Sequence, residues 1–130
     1  MFTLAQARHL IATLRPRIDE LVRLRADLAE LRVDLAERGA GPAERDNGPT
    51  GRAGRPVGGL AEVKSLEARI FGILEELTGH DIQVKGLAPV LLDFPGERDG
   101  RPVVWCWLEG DGDVGWYHRV ECGFQGRRPV

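Results

Sequence analysis

The sequence lacks the features that mark several large protein classes. Two cysteines in 130 residues are too few for a disulfide scaffold, so we expect a reducing, cytoplasmic setting. No apolar run reaches the roughly 18 residues of a membrane span, and the first residues lack the basic-then-apolar pattern of a secretory signal. Because 20 acidic residues oppose 18 basic ones, for a net charge of −2, nonspecific binding to nucleic acid or anionic membranes is not expected as the main activity.

Familiar catalytic motifs are absent as well. The chain contains no Walker loop, Gly-x-Ser-x-Gly or His-Glu-x-x-His, which would mark a nucleotide, hydrolase or metalloprotease site. No Cys-x-x-Cys pair is present either. The chain shows instead three zones of different composition, which we interpret as parts of a single domain.

The first zone, residues 3–38, has no glycine and a single proline. Its leucines recur at spacings of three, four or seven, which predicts an amphipathic helix over residues 4–38 that ends at Gly39. Thr3 and Gln6 match a capping box, and Pro16 should bend the helix because it removes one backbone N–H. The recurring leucines are Leu10, Leu14, Leu21, Leu24, Leu28, Leu31 and Leu35.

The second zone, residues 39–59, holds seven glycines and three prolines, and we interpret it as a flexible linker. A second helix is predicted over residues 60–79, with apolar residues on one face and Gly79 at its end. The two helices are expected to form an antiparallel hairpin. Because the second helix is much shorter, several leucines of the first have no partner on their own chain. Either the sheet or a second copy covers them, and we favour a homodimer.

The third zone, residues 81–130, contains short β-prone runs between turn signals. Its short, glycine-bearing loops favour antiparallel pairing of neighbouring strands. The sequence therefore predicts an α+β fold: a long antiparallel helical hairpin packed on a small antiparallel β-meander of three to four strands. The predicted strands are residues 82–84, 90–94, 103–108 and 114–120.

All three tryptophans, the single tyrosine, both cysteines and one of the three histidines fall within residues 105–122. Thiolate, imidazole and carboxylate groups are common ligands of zinc and other transition metals. The candidate metal ligands are Cys106, His118, Asp93 and Glu109, and the implied cofactor is a divalent transition metal such as zinc.

Whether Cys106 and His118 can meet depends on the register of one predicted hairpin. A two-residue turn at Asp111 and Gly112 would pair Trp105 with His118 and would place Cys106 on the opposite face of the sheet. A loop with an odd number of residues would shift the pairing by one. Cys106 would then lie opposite Trp116, diagonal to His118 and on the same face.

Purely structural roles also fit these residues. Cys106, between two tryptophans, fits the role of a small buried hydrophobic residue. His118 fits that of a core histidine hydrogen bonded to a carbonyl, and Asp93 fits that of a residue that caps a turn. Aromatic and basic residues near the C-terminus form a candidate interaction surface for a protein partner. A similar arrangement binds single strands, but nucleic acid is not expected as a partner of this slightly acidic chain. The surface comprises Trp105, Trp107, Trp116, Tyr117, Arg119, Phe124, Arg127 and Arg128.

Four short motifs carry a resemblance to a known family. They are Asp93-Phe94-Pro95, Cys106-Trp107, Trp116-Tyr117-His118 and the closing Gly123-Phe124-Gln125-Gly126-Arg127. Together with two preceding helices, the first with a step at Leu14-Arg15-Pro16-Arg17, they resemble the family known as domain of unknown function 2203. The resemblance spans nearly the whole chain, with residues 39–59 as its variable part. It implies a fold and a set of residues of interest, and it implies no activity.

Two functional hypotheses remain open at the level of sequence. The first is a non-catalytic, dimeric interaction module, which the unequal helices and the lack of catalytic motifs favour. The alternative is a small metal-dependent or thiol-using enzyme whose site lies at the Trp/Cys/His patch of the sheet. The hairpin register discriminates between them within one chain.

Overall fold

The computed structural model describes residues 1–38 and 57–130, which form two compact units. Unit 1 comprises Met1–Asp19 and Leu74–Val130, and unit 2 comprises Glu20–Ile73. The predicted linker, residues 39–59, lies outside the described residues except for its last three, which already belong to a helix. No described helix has the length and apolar character needed to cross a membrane.

Two helices are described, α1 (Leu4–Glu37) and α2 (Val57–Gly79). The predicted capping box is confirmed at the start of α1. The Thr3 amide donates to Gln6 Oε1 over 2.9 Å, and the Gln6 amide donates to Thr3 Oγ1 over 3.0 Å. Each side chain therefore satisfies an amide that the first turn leaves without a helical partner.

Unit 2 contains the C-terminal part of α1 and most of α2. The two segments run antiparallel, since Arg69 pairs with Glu20 at 3.4 Å while Gly59, earlier in α2, lies against the Leu35 side chain, later in α1. Val33 and Phe71 remain 57% and 60% exposed. The buried side chains of this unit are Leu21, Leu24, Leu28, Leu66, Ile70 and Ile73.

Unit 1 is built on an antiparallel sheet with the strand order β1-β2-β3-β4-β5. The predicted α+β meander is therefore confirmed, although its three to four strands become five, because a short pairing near the C-terminus was missed. The strands are β1 (Gln83–Leu87), β2 (Val90–Arg98), β3 (Arg101–Leu108), β4 (Trp116–Arg119) and β5 (Arg128–Pro129), with a 3₁₀ turn at Phe124–Gly126.

The two faces of the sheet have different neighbours. Because side chains alternate along a strand, Phe94, Trp105 and Trp107 share one face. The N-terminal segment covers this face: the Phe2 ring meets Phe94 edge-on at 5.4 Å, and the Arg15 guanidinium lies 5.4 Å from the Trp107 ring. The apolar core of unit 1 therefore lies here, and the opposite face is left for the residues of chemical interest.

Candidate metal centre

Three neighbouring strands each contribute one chemically active side chain to the face opposite the core. Asp93 lies on β2, Cys106 on β3 and His118 on β4. One potential ligand atom from each residue lies within 4.8 Å of the other two. The side chains are nearly inaccessible, since the residues are only 7%, 0% and 4% exposed.

The register of the strands explains this convergence. Asp93 is directly opposite Cys106, and Cys106 is directly opposite Trp116. His118, two residues beyond Trp116, is therefore diagonal to Cys106 and on the same face. Of the two registers that the sequence allowed, the structure has the second, with residues 109–115 as the odd-numbered connection.

Hydrogen bonding fixes the orientation of the His118 ring. Its Nδ1 lies 2.9 Å from the backbone oxygen of Arg119, and because a carbonyl only accepts, Nδ1 must be the protonated nitrogen. In the neutral ring the lone pair then lies on Nε2, which is 3.8 Å from Asp93 Oδ2. Metal-binding histidines commonly donate their second ring N–H to a carbonyl in this way.

Asp93 is a buried acceptor whose hydrogen bonding is incomplete. Among the described residues, none donates to its Oδ1 atom, although a buried carboxylate oxygen normally has a donor or a cation nearby. Burial raises the pKa of Asp93, and the charges of His118 and Lys85 together with a hydrogen bond from Cys106 oppose that rise only in part. The charged form of the Asp93 carboxylate is therefore less stable in the protein than in water.

Cys106 is held as a thiol. Burial raises its pKa to about 11, the Asp93 charge adds to the rise, and Arg127 opposes it. A thiol with this pKa carries almost no thiolate near neutral pH, which makes it a weak nucleophile. A bound cation would favour the thiolate form of Cys106 over the thiol, since a coordinating thiol loses its proton. The raised pKa therefore argues against a mechanism that uses the free thiol near neutral pH.

Arg127 covers the Cys106 side of this cluster. Its guanidinium lies 4.6 Å from the Trp116 ring and 4.7 Å from the Phe124 ring, and it pairs with Asp111 at 3.1 Å. The chain reaches this position through Gly123, whose φ of 71° is rarely adopted by residues with a Cβ. The sequence analysis placed Arg127 on an interaction surface and not beside Cys106. The sequence feature that could have drawn attention to it is the closing motif Gly123-Phe124-Gln125-Gly126-Arg127, which ends at this arginine.

The other residues singled out from the sequence lie elsewhere. The structure does not bring Glu109 into the cluster; its Oε1 accepts a hydrogen bond from the Val90 amide over 2.9 Å at the end of the β2–β3 ladder. Trp105 and Trp107 are buried in the core of unit 1. On the proposed interaction surface, Trp116, Tyr117 and Arg127 are half-buried, while Arg119, Phe124 and Arg128 are exposed.

The donor set suits a transition metal. A thiolate, an imidazole and a carboxylate form a mixed soft and borderline set of the kind that binds zinc. Ligand atoms about 2.0–2.3 Å from a tetrahedral ion lie roughly 3.3–3.6 Å apart. His118 Nε2 and Asp93 Oδ2 are 3.8 Å apart, and the three candidate ligand atoms lie within 4.8 Å of one another. The side chains would therefore have to move closer together to hold an ion.

Comparison with known proteins supports the resemblance seen in the sequence. A family model described as "Uncharacterized conserved protein (DUF2203)" matches residues 1–130. No curated protein and no solved structure matches the chain.

Proposed function

We propose that this chain, which belongs to the DUF2203 family of uncharacterised conserved proteins, binds a divalent transition metal through Asp93, Cys106 and His118, with zinc as the expected ion. The observation that carries the proposal is the convergence of their ligand atoms within 4.8 Å on one buried face. Cys106 is 13 positions after Asp93 and 12 positions before His118, so only the register of the strands brings the three residues together.

The electrostatics of the cluster favour a bound cation over an empty site. Burial disfavours the charged forms of both Asp93 and Cys106, and a divalent ion would favour those forms. It would also supply the missing partner of Asp93 Oδ1. One ion therefore satisfies three separate features of the site.

Three protein ligands suit an open coordination site better than a closed one. Structural zinc sites use four protein ligands, whereas catalytic sites use three and leave a position for water or substrate. The candidate cluster has three members. We therefore retain a small metal-dependent enzyme as the finer form of this proposal.

Metal loading of the full-length chain tests the proposal. Protein purified without chelator should retain about one zinc per chain by elemental mass spectrometry, and cobalt(II) should give a thiolate-to-metal charge-transfer band. Asp93→Asn, Cys106→Ser and His118→Gln should each weaken zinc binding at least about a hundredfold, since removing a ligand costs more than removing a residue that supports one. Cobalt(II) absorption without the charge-transfer band, or unchanged affinity in all three variants, would contradict the proposal.

Cys122→Ser is the matched control. Cys122 is exposed and Cys106 is buried, and both are free thiols. The control should bind zinc as the wild type does. If it loses the metal instead, the thiol ligand is Cys122 and the proposed cluster is wrong. The low cysteine content, two in 130 residues, supports a reducing compartment such as the cytoplasm, which we propose as the location.

The dimeric interaction module is retained as a second proposal, supported by the apolar side chains that unit 2 leaves exposed. Val33, Leu60 and Phe71 are between 53% and 60% exposed, and burying such side chains against a second copy would be favourable. Analytical ultracentrifugation at micromolar concentration should show a dimer that Phe71→Glu dissociates. A monomeric wild type would contradict this proposal without affecting the metal site.

A further inference from the structure

An arginine-rich cleft lies on the face of the sheet opposite the metal centre. Its cavity of about 500 Å³ is lined at the ends of β2, β3, β4 and β5 by Arg98, Arg101, Arg119 and Arg128. Tyr117 is opposite Trp105 on β3 and Arg128 on β5, so these residues point away from the face that carries Cys106. The cleft is therefore separate from the metal centre.

The acidic residues of the cleft do not neutralise it. Asp99 and Glu121 approach Arg98 and Arg119 only to 3.9 and 4.0 Å, and their own side chains are 93% and 71% exposed. In the described part of the chain, no acidic side chain lies within ion-pair distance of Arg101 or Arg128. A chain of net charge −2 thus gathers four guanidinium groups around one cavity.

Aromatic stacking restrains one of the arginine side chains of the cleft. The Arg98 guanidinium stacks on the Tyr117 ring at 4.4 Å, and Tyr117 in turn contacts the Trp105 ring at 6.0 Å. Stacking on an aromatic ring restricts the arginine side chain, so less conformational entropy is lost when it binds an anion. Pro102, Val103 and Val120 add an apolar wall beside the charged groups.

We infer that this cleft binds a small organic phosphate ester. Guanidinium groups pair with phosphate oxygens through two parallel hydrogen bonds, and a dianion would relieve the repulsion among four of them. A cavity of about 500 Å³ is of the size that holds an organic ligand, and the apolar wall gives its organic part a surface. The inference stands apart from the metal centre and does not depend on it.

The test uses simple probes on the isotopically labelled full chain. Titration with phenyl phosphate, followed by amide NMR shifts, should give saturable shifts at Arg101, Tyr117 and Arg119. Inorganic phosphate, which lacks the organic part, and benzoate, which lacks the dianion, should each bind at least about tenfold more weakly. No saturable shift with phenyl phosphate, or equal binding of benzoate, would overturn the inference.

Paired charge-removing variants show whether the cleft itself is responsible. Arg101→Gln combined with Arg128→Gln should weaken phenyl phosphate binding at least about tenfold. Arg23→Gln combined with Lys64→Gln removes the same charge from exposed positions of unit 2 and should change binding less than about twofold. If the second pair weakens binding as much as the first, the effect is one of net charge and the cleft is not the site.

Discussion

At the scale of single residues, the raised pKa of Cys106 dictates how metal binding should depend on pH. The thiol is protonated near neutral pH because its pKa is about 11, and it must lose that proton to bind zinc. Below the pKa, each unit of rising pH multiplies the thiolate fraction tenfold, so zinc affinity should rise about tenfold per unit through this group alone.

Proton release provides the measurement for this prediction. Calorimetric titration of zinc at about pH 8, repeated in buffers of different ionisation enthalpy, should show at least one proton released per metal. Cys106→Ala should release about one proton fewer, whereas Cys122→Ala should match the wild type. An unchanged proton count in Cys106→Ala would mean that the thiol is not a ligand.

Arg127 should support the metal centre without binding the metal. Its charge and hydrogen bond lower the pKa of Cys106 and so favour the thiolate. Arg127→Gln should therefore weaken zinc binding about tenfold or more, and Arg127→Lys, which keeps the charge, should lose less. Competition against a chromophoric chelator measures both affinities.

The neighbouring arginine offers the control for that prediction. Arg128 lies one residue further along the chain and lines the cleft on the other face of the sheet. Arg128→Gln should leave zinc affinity unchanged. An equal loss in both variants would show that general surface charge, and not the contact with Cys106, sets the affinity.

At the scale of secondary-structure elements, β2 extends through residues that the sequence presents as a turn. Pro95 and Gly96 pair with Val104 and Val103. The missing N–H of Pro95 does no harm because β1 pairs only as far as Asp93, and the Pro95 carbonyl on that side accepts the Phe2 amide over 2.7 Å. The actual turn is at Asp99 and Gly100, both with positive φ.

Gly96 provides a stability prediction for this element. A Cβ at this position would come within 2.2 Å of the Phe2 carbonyl oxygen and 2.4 Å of Trp105 Nε1, two atoms that are themselves hydrogen bonded to each other over 2.8 Å. Gly96→Ala should lower the free energy of unfolding by about 1–3 kcal/mol through overpacking. Denaturant unfolding measures this loss. Gly72→Ala, on α2 with open space around it, should be neutral or stabilising.

The elements show which parts of the structure could be predicted from sequence. The helices and the first four strands follow from local periodicity and turn residues, which act within a few positions. The register of the β3–β4 hairpin could not be chosen, because contacts from distant residues stabilise its loop. The Arg8 side chain donates to the Val114 carbonyl, and Arg127 pairs with Asp111. Contacts of this kind have no sequence pattern.

The candidate site shows the same limit. Residue types alone drew attention to Cys106, His118 and Asp93, but they drew equal attention to Glu109, which instead bonds the Val90 amide. Arg127 and Arg128 were grouped together because they are adjacent. Alternation along the chain separates them, so that Arg127 faces Cys106 and Arg128 faces the cleft.

At the scale of the whole molecule, one of the two compact units carries the whole candidate metal centre. Asp93, Cys106 and His118 all belong to unit 1, and so do the strands that carry them. No side chain from unit 2 is among the three candidate ligands. Since zinc would bind the assembled sheet more tightly than the unfolded chain, occupancy of the site should stabilise the folded protein.

The size of that stabilisation is a prediction for the intact chain. At a free zinc concentration one hundred times the dissociation constant, the folded state should gain about 2.7 kcal/mol, which for a chain of this length raises the Tm by about 10 °C. Differential scanning calorimetry of the wild type with zinc and with chelator measures the shift, and His118→Gln should show almost none. Because calcium prefers oxygen ligands, it should not replace zinc. An equal rise in Tm in His118→Gln would show that the metal acts outside the cluster on β2, β3 and β4.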